Sequence, residues 1–414
     1  MKVLHTSDWH LGRYLYKTKK RYGEFAAFLT WLEETISERE VEALLVCGDI
    51  FDTTTPTHRA QELYYSFLRA LTDRRQVLRH VVIVGGNHDS PSFLEAPSKL
   101  LKSMGFHVIG AVNGDITREV LPLRDKDGRL ELVVCSVPFL RESDLRTAEL
   151  GETESDRFQK IIAGLSQHYA EVYELALKMA SETEPRAPIA ATGHLFLANV
   201  DADSDDGVRE ILAGPLSALP LDKLPKFDYL ALGHIHSPKK VDDSNKIRYS
   251  GSPIPMGFNE AGSTKSVCLV EFSPQNPSQP EVELIPIPEF QIIKRLEGDI
   301  DVLTKEIKAL KDTYACAWLE INHTGTMTPS ELRHALDELL TGTNLELLAL
   351  RDARNRDKIL EESGETADLA DLSLETVFEM IMDENKVDEA EREELRRAHA
   401  ELVSEMASED VLAE

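Results

Sequence analysis

An α/β fold is predicted for this chain on three observations. Short apolar runs alternate with helix-period stretches over the first 290 residues, several of those runs end on Gly with Asp or His beside it, and 414 residues can bury more than one core. The strand candidates, in order, are VLHTS (3–7), ALLVCG (43–48), HVVIVGG (80–86), ELVVCSVP (131–138), PIAATG (188–193), YLALG (229–233), IRYSG (247–251) and SVCLVEF (266–272). Each is a short apolar run of strand length. Between them Phe25, Phe28, Leu29, Leu32 and Ile36 follow the i, i+3, i+4, i+7 rule of a one-faced helix, and helical stretches also fit 57–72 and 154–182. The turn-rich run SPQNPSQP (273–280), with Pro286 and Pro288 closing the strand after it, marks a domain boundary, so residues 1–288 form the first domain.

Residues 289–352 then read strand, helix, strand, helix, strand (FQIIKRLE, DIDVLTKEIKALK, ACAWLEIN, SELRHALDELLT, LELLALRD), a small α+β domain. A charged linker at 353–372 leads to two amphipathic segments within 373–414. Leu374, Val377, Phe378 and Ile381 line one face, and Leu395, Leu402 and Met406 line the other. Ser373 is placed to cap the first, and Asp388 with Glu391 has capping-box spacing for the second. A two-helix hairpin has no core of its own, so its apolar stripes are expected to dock on another chain.

Composition excludes several classes. With 42% hydrophobic and 29% charged residues the chain is neither disordered nor a membrane protein, and MKVLHTSDWH turns polar too early for a secretory signal, which predicts a cytoplasmic protein. Cys47, Cys135, Cys268 and Cys316 are far apart with no C-x-x-C and read as reduced core thiols. The net charge of −27 argues at first against a nucleic-acid partner. About 19 acidic and 4 basic residues lie in 361–414, however, so the body is only mildly acidic.

The chemistry gathers at strand ends. Asp8 and His10, two apart, share one side of an extended segment where the first strand opens into a loop. The second strand delivers Asp49, with Asp52 one turn on; the third delivers Asn87, His88 and Asp89 after two glycines. His194 ends the fifth, and His234 and His236 end the sixth. Each motif alone is common, but open α/β sheets bind ligands at the carboxyl ends of their strands, and five such ends here carry metal-type ligands. Oxygen and imidazole donors without thiolates suit manganese, iron or zinc better than calcium, and their number indicates two ions.

HTSDWHLG, GDIFDT, GGNHDS, GHL, ALGHIH and YSGSPIPMGF, in this order, resemble the calcineurin-like metallophosphoesterases, and among them the SbcD family of bacterial double-strand-break repair nucleases. The resemblance implies a four-layer αββα sandwich with a small α+β capping domain and a C-terminal helical hairpin. It also implies two divalent metal ions, Mn2+ in this family. Asp8, His10 and His236 would hold the first ion, Asn87, His194 and His234 the second, and Asp49 would bridge them. His88 resembles the catalytic histidine, oriented by Asp89. The implied activity is hydrolysis of DNA phosphodiester bonds, as exonuclease on duplex ends and endonuclease on single strands or hairpins, in DNA repair and recombination. The implied partner is an SbcC-type ATPase docked by the terminal helices, within a heterotetramer whose two nuclease chains dimerise through 57–72 and 92–104.

Arg13, Tyr16, Lys17, Lys19, Lys20 and Arg21 interleave basic and aromatic residues beside the first metal motif and are expected to contact DNA. No P-loop motif occurs, so ATP dependence must come from the partner. The acidic stretch at 199–209 departs from what a loop beside a phosphate path needs. Two other functions fit less of the chain: a stand-alone cyclic nucleotide phosphodiesterase leaves the second domain and tail idle, and a non-catalytic scaffold leaves His88 idle.

Overall fold

In the computed structural model each interior strand of the main sheets sends alternate side chains to opposite faces, and both faces are buried. The structure describes residues 1–352 except 17–18, 74–76, 148, 150, 198–218 and 274, together with Met382, Arg392, Leu395 and Arg396. The first sheet has parallel strands β1 (Lys2–Thr6), β4 (Ala43–Cys47), β5 (His80–Val84) and β6 (Phe106–Ile109), extended by antiparallel β13 (Ser266–Glu271) and β14 (Glu281–Pro286) in the order β14-β13-β1-β4-β5-β6. The second contains β7 (Val120–Arg124), β8 (Leu130–Cys135), β9 (Ile189–His194), β10 (Tyr229–Gly233), β11 (Lys239–Lys240) and β12 (Ile247–Tyr249), in the order β11-β12-β10-β9-β8-β7.

Val3, Ala43, Leu45, Val82, Cys268 and Val270 of the first sheet meet Leu132, Val134, Ala190, Tyr229 and Ala231 of the second in one apolar layer. The alternate residues Leu4, Leu44, Val46, Val81 and Ile83 pack outward under helices α1 (Tyr22–Glu38) and α2 (His58–Thr72). On the far side Val133, Ile189, Ala191, Leu230 and Leu232 lie under α6 (Glu154–Ala180) through Leu165, Tyr169, Val172 and Ala176. The layers are therefore helix, sheet, sheet, helix. Strands buried on both faces have no polar side, which is why their sequences are continuous apolar runs.

Local signals agree with this packing. Thr57 caps α2, and Thr153 with Asp156 forms a capping box on α6. All eight expected strands are present. The hairpin β2 (Tyr14–Leu15) with β3 (Lys19–Lys20), and β6, β7 and β11, were not expected: β6 is only four residues long, and Pro122 weakens the β7 pattern but is tolerated because β7 is an edge strand. The helix expected over 92–104 is two short ones, α3 (Pro91–Glu95) and α4 (Ser98–Ser103), parted at Pro97, whose ring cannot continue the hydrogen-bond ladder. α5 (Glu142–Leu145) is a single turn.

A separate three-stranded sheet, β15 (Ile293–Gly298), β16 (Ala317–His323) and β17 (Leu345–Asp352), carries α7 (Ile300–Thr313) and α8 (Pro329–Leu340) over a core of Leu296, Leu303, Ile307, Leu319, Ile321 and Leu336. This is the expected strand and helix order for 289–352. By packing, the chain divides into Met1–Arg351 and Asp352–Glu414. The linker at 353–372, the terminal helices, nearly all of 373–414, and the acidic stretch at 199–209 lie outside the described residues. Cys47, Cys135 and Cys268 are buried free thiols and Cys316 an exposed one. Among the described residues no helix is long and apolar enough to cross a membrane.

Candidate metal centre

β1, β4 and β5 of one sheet and β9 and β10 of the other end at the same rim, so their loops face one another. The sheets touch there closely: His194 Nδ1 lies 2.9 Å from the Cys47 carbonyl, and a Cβ on Gly48 would stand 2.2 Å from that Nδ1, one on Gly233 2.0 Å from that oxygen. Only glycine permits these two approaches. Beyond the strands the backbone turns sharply, with Asp8, His10, Asp49 and His234 at φ of 53°, 46°, 51° and 94°. Non-glycine residues seldom adopt the left-handed region, and strain of this kind concentrates at functional sites. It is held here by the bonds Asp8 N to Gly48 O (3.0 Å), His10 N to Asp49 O (2.9 Å) and His234 N to Asp8 Oδ1 (2.9 Å).

The side chains converge tightly. His10 Nε2 is 3.2 Å from His236 Nε2 and 3.5 Å from Asp49 Oδ2, while His194 Nε2 is 3.2 Å from the same Asp49 oxygen. The Asn87 Oδ1 atom is 3.0 Å from both His194 Nε2 and His234 Nδ1. Ligand atoms of Asp8, His10 and His236 group within 4.8 Å, as do those of Asp8, Asp49 and His194. All seven expected metal ligands are thus in one cluster. Such a set, buried carboxylates between imidazoles whose nitrogens face each other, fits a pair of divalent cations: oxygen and nitrogen donors, no thiolate, and lone pairs directed inward.

Electrostatics follow from the same crowding. Burial works against the charged form of His194, but Asp49, bonded to it, and then Asp8 outweigh that and raise it to about 9. Asp49 is held well below the carboxylate range, its burial overcome by His194 and His10. Burial, then His194, lowers His234 to about 3, and burial likewise lowers His10. His5, three residues before Asp8, is not part of the cluster; its ring nitrogens are satisfied by Tyr229 OH (3.0 Å) and the Leu232 carbonyl (3.2 Å).

His88 is half-buried beside the cluster, edge-on to His10, with Nδ1 2.9 Å from the Asp52 carbonyl. The expectation that Asp89 orients it does not hold. Asp89 is fully buried and accepts hydrogen bonds from Ile50 N, Phe51 N and Gly86 N, tying the β4 and β5 loops together, and burial followed by Asp49 raises it to about 6. Asp52, which the motif left without a role, places its carboxylate 3.3 Å from His10 Nδ1 and 3.1 Å from Arg13.

The basic segment also differs from expectation. Arg21 is 1% exposed and bound to Glu24 at 2.6–2.8 Å and to the Pro255 carbonyl, so it is not a DNA contact. Tyr16 stacks on Phe258 and donates its phenol to Glu320, which leaves no free ring face for a base on that side. Lys19 pairs with Glu346 and lies over Trp318 at 4.9 Å. Arg13 is half-buried and Lys20 exposed; Lys17 lies outside the described residues.

Residues 1–238 match the family of calcineurin-like phosphoesterases, and 289–386 match the domain described as the type 5 capsule protein repressor C-terminal domain. Over 411 residues the chain is 34% identical to the SbcD chain of the SbcCD nuclease of Escherichia coli K12, covering 99% of each. It is 36% identical to the corresponding chain of Rhodobacter capsulatus over 66% of this protein and 67% of that one, and 34% identical to that of Bacillus subtilis with the same coverage. Among solved structures, a Thermus thermophilus protein (12% identity, TM-score 0.37, 69% of this chain and 99% of that one) and a dimetal phosphatase from Danio rerio (14%, 0.38, 69% and 98%) align too loosely to bear on function.

Proposed function

The chain belongs to the calcineurin-like phosphoesterases and, within them, to the SbcD nucleases, and from that membership we propose that it is a two-metal DNA nuclease acting with an SbcC-type ATPase. The observation that carries this is the convergence of seven ligands from two sheets at one rim, six of them buried and Asn87 half-buried. Asp8, His10 and His236 would hold the first divalent ion and Asn87, His194 and His234 the second, with Asp49 shared between the two sets, and manganese is the ion that the resemblance favours. A bound pair supplies positive charge to the phosphate oxygens and acidifies a water for in-line attack.

The protein's own groups do the rest. A carbonyl only accepts, so the bond from His88 Nδ1 to Asp52 O fixes the proton on Nδ1 and leaves Nε2 as the nitrogen that gains or gives a proton. From its place beside the cluster, Nε2 can protonate the departing sugar oxygen. Arg13, just before the hairpin, and Lys20 on it are the remaining described candidates for phosphate contact.

In this reading residues 1–288 are the nuclease domain, 289–352 the capping domain, 353–372 a linker and 373–414 the helices that dock on the ATPase, in a cytoplasmic complex. Exposed Tyr65 on α2, and Leu100 and Met104 at α4, support a dimer contact through these helices. The test is cleavage of an end-labelled DNA hairpin and a linear duplex with manganese, with and without SbcC and ATP, beside His88→Ala. Cleavage by the native protein, with a loss of roughly 10²–10⁴-fold in the variant and its metals retained, is expected. Hydrolysis of a small phosphodiester with no cut DNA, even with the partner, would instead leave a small-molecule phosphodiesterase.

A further inference from the structure

Each histidine of the centre needs a partner behind the ring, because the nitrogen facing away from a metal must place its proton on an acceptor to fix tautomer and orientation. His194 has the Cys47 carbonyl and His10 faces the Asp52 carboxylate. His236 turns Nε2 toward His10, while its Nδ1 is buried without a hydrogen-bond partner. Opposite it, 3.8 Å away, is Glu260 Oε1, which is also buried and without a partner. Both residues are more than nine-tenths buried, His236 at 5% and Glu260 at 6% exposure. Closing that gap by about 1 Å makes an ordinary N–H···O bond.

Glu260 is held for this task. Its other oxygen accepts from Met256 N at 3.1 Å and from Lys265, and Lys265 Nζ also donates to the His236 carbonyl (2.9 Å) and Ser252 Oγ (3.1 Å). Ser252 N in turn donates to that His236 carbonyl at 2.9 Å. The segment YSGSPIPMGFNE therefore wraps His236 from behind.

We propose that Glu260 is a positioning residue for His236: it accepts the Nδ1 proton, keeps Nε2 unprotonated and directed at the first metal, and is itself anchored by Lys265. This rests on the two-metal reading and assigns a role to a loop that the sequence motif left without one.

The test uses the full-length protein freed of metal. In the native protein at pH 8, nitrogen-15 NMR of the histidine rings, with His236 assigned by its disappearance in His236→Gln, should show Nδ1 protonated and Nε2 bare. Titration with Mn2+, followed by the EPR signal of the free ion, should show two sites in the native protein. In Glu260→Gln one of them should weaken roughly 10- to 100-fold and the other stay unchanged. The double variant Glu260→Gln/Lys265→Met leaves no unpaired buried ammonium, and the same weakening is expected of it should the single variant melt early. A His236 ring protonated on Nε2, or both affinities unchanged in a folded variant, would overturn the proposal. Fewer than two manganese sites in the native protein would overturn the metal reading beneath it, a different failure.

Discussion

Asp49 shows how one residue can serve two purposes. Its left-handed φ of 51° turns the carboxylate out of β4 into the crevice, where Oδ2 faces His10 at 3.5 Å and His194 at 3.2 Å while Oδ1 accepts from His88 N at 2.9 Å. The carboxylate thus lies between the two sets of ligands and also fixes the backbone of His88. Asp49→Asn keeps the volume and removes the charge, so both manganese sites should weaken by at least about tenfold, the range in which altered ligand support acts. Calorimetric titration reads this, and weakening of one site alone would show that Asp49 does not bridge. The motif G-D-x-x-D announced Asp49, whereas the division of labour among Asp49, Asp52 and Asp89 was invisible in it. All three stand at loop starts, and only the fold decides that one faces ligands, one backs His10, and one ties three amides.

At the scale of elements, the hairpin β2–β3 links the rim to the three-stranded sheet. Arg13 before it reaches Asp52, while Tyr16 and Lys19 within it reach Glu320 and Glu346. Leu15, Phe258 and Ile293 close an apolar contact beneath. Glu320 is 1% exposed and is also paired with Arg295 and Arg351, so the phenol of Tyr16 is one of several groups that neutralise and bond a buried carboxylate. Burial, with the Glu320 bond, raises Tyr16 to about 12, so the phenol stays a donor. Tyr16→Phe should cost about 1–2 kcal/mol in urea unfolding. A double-mutant cycle with Glu320→Gln should give a coupling of at least about 0.5 kcal/mol, and additivity would mean that the contact is incidental. Basic and aromatic residues beside a metal motif suggested DNA contacts here. That pattern is equally what a hairpin needs to bind acidic residues on a sheet of its own chain, and composition does not separate the two.

For the whole molecule, the centre joins five strands of two sheets, so any ligand bound there bridges the layers and stabilises the folded state by mass action. At a manganese concentration a hundredfold above Kd, each site should add about 2.7 kcal/mol, and chelation should remove it. Thermal melts with manganese, calcium and EDTA measure this. Calcium, which prefers more oxygen ligands, should raise the melting temperature less, and an equal rise with both ions would count against the imidazole-rich assignment.

The sequence by itself determined the interior strands of the two main sheets, because a strand buried on both faces must be apolar throughout, and it determined the ligand types, because the motifs carry them at strand ends. It also announced the βαβαβ order of 289–352 through periodicity and capping residues. Tertiary structure alone decided which buried charges meet. Arg21 is buried against the Pro255 carbonyl, Asp89 accepts from the amides of Ile50 and Phe51 instead of bonding His88, and Glu260 lies behind His236, 24 positions away in the chain. Local pattern reports the environment of a residue along its own element. A partner that arrives from another loop is fixed only when the sheets pack, since a charge can be buried only where a distant group compensates it.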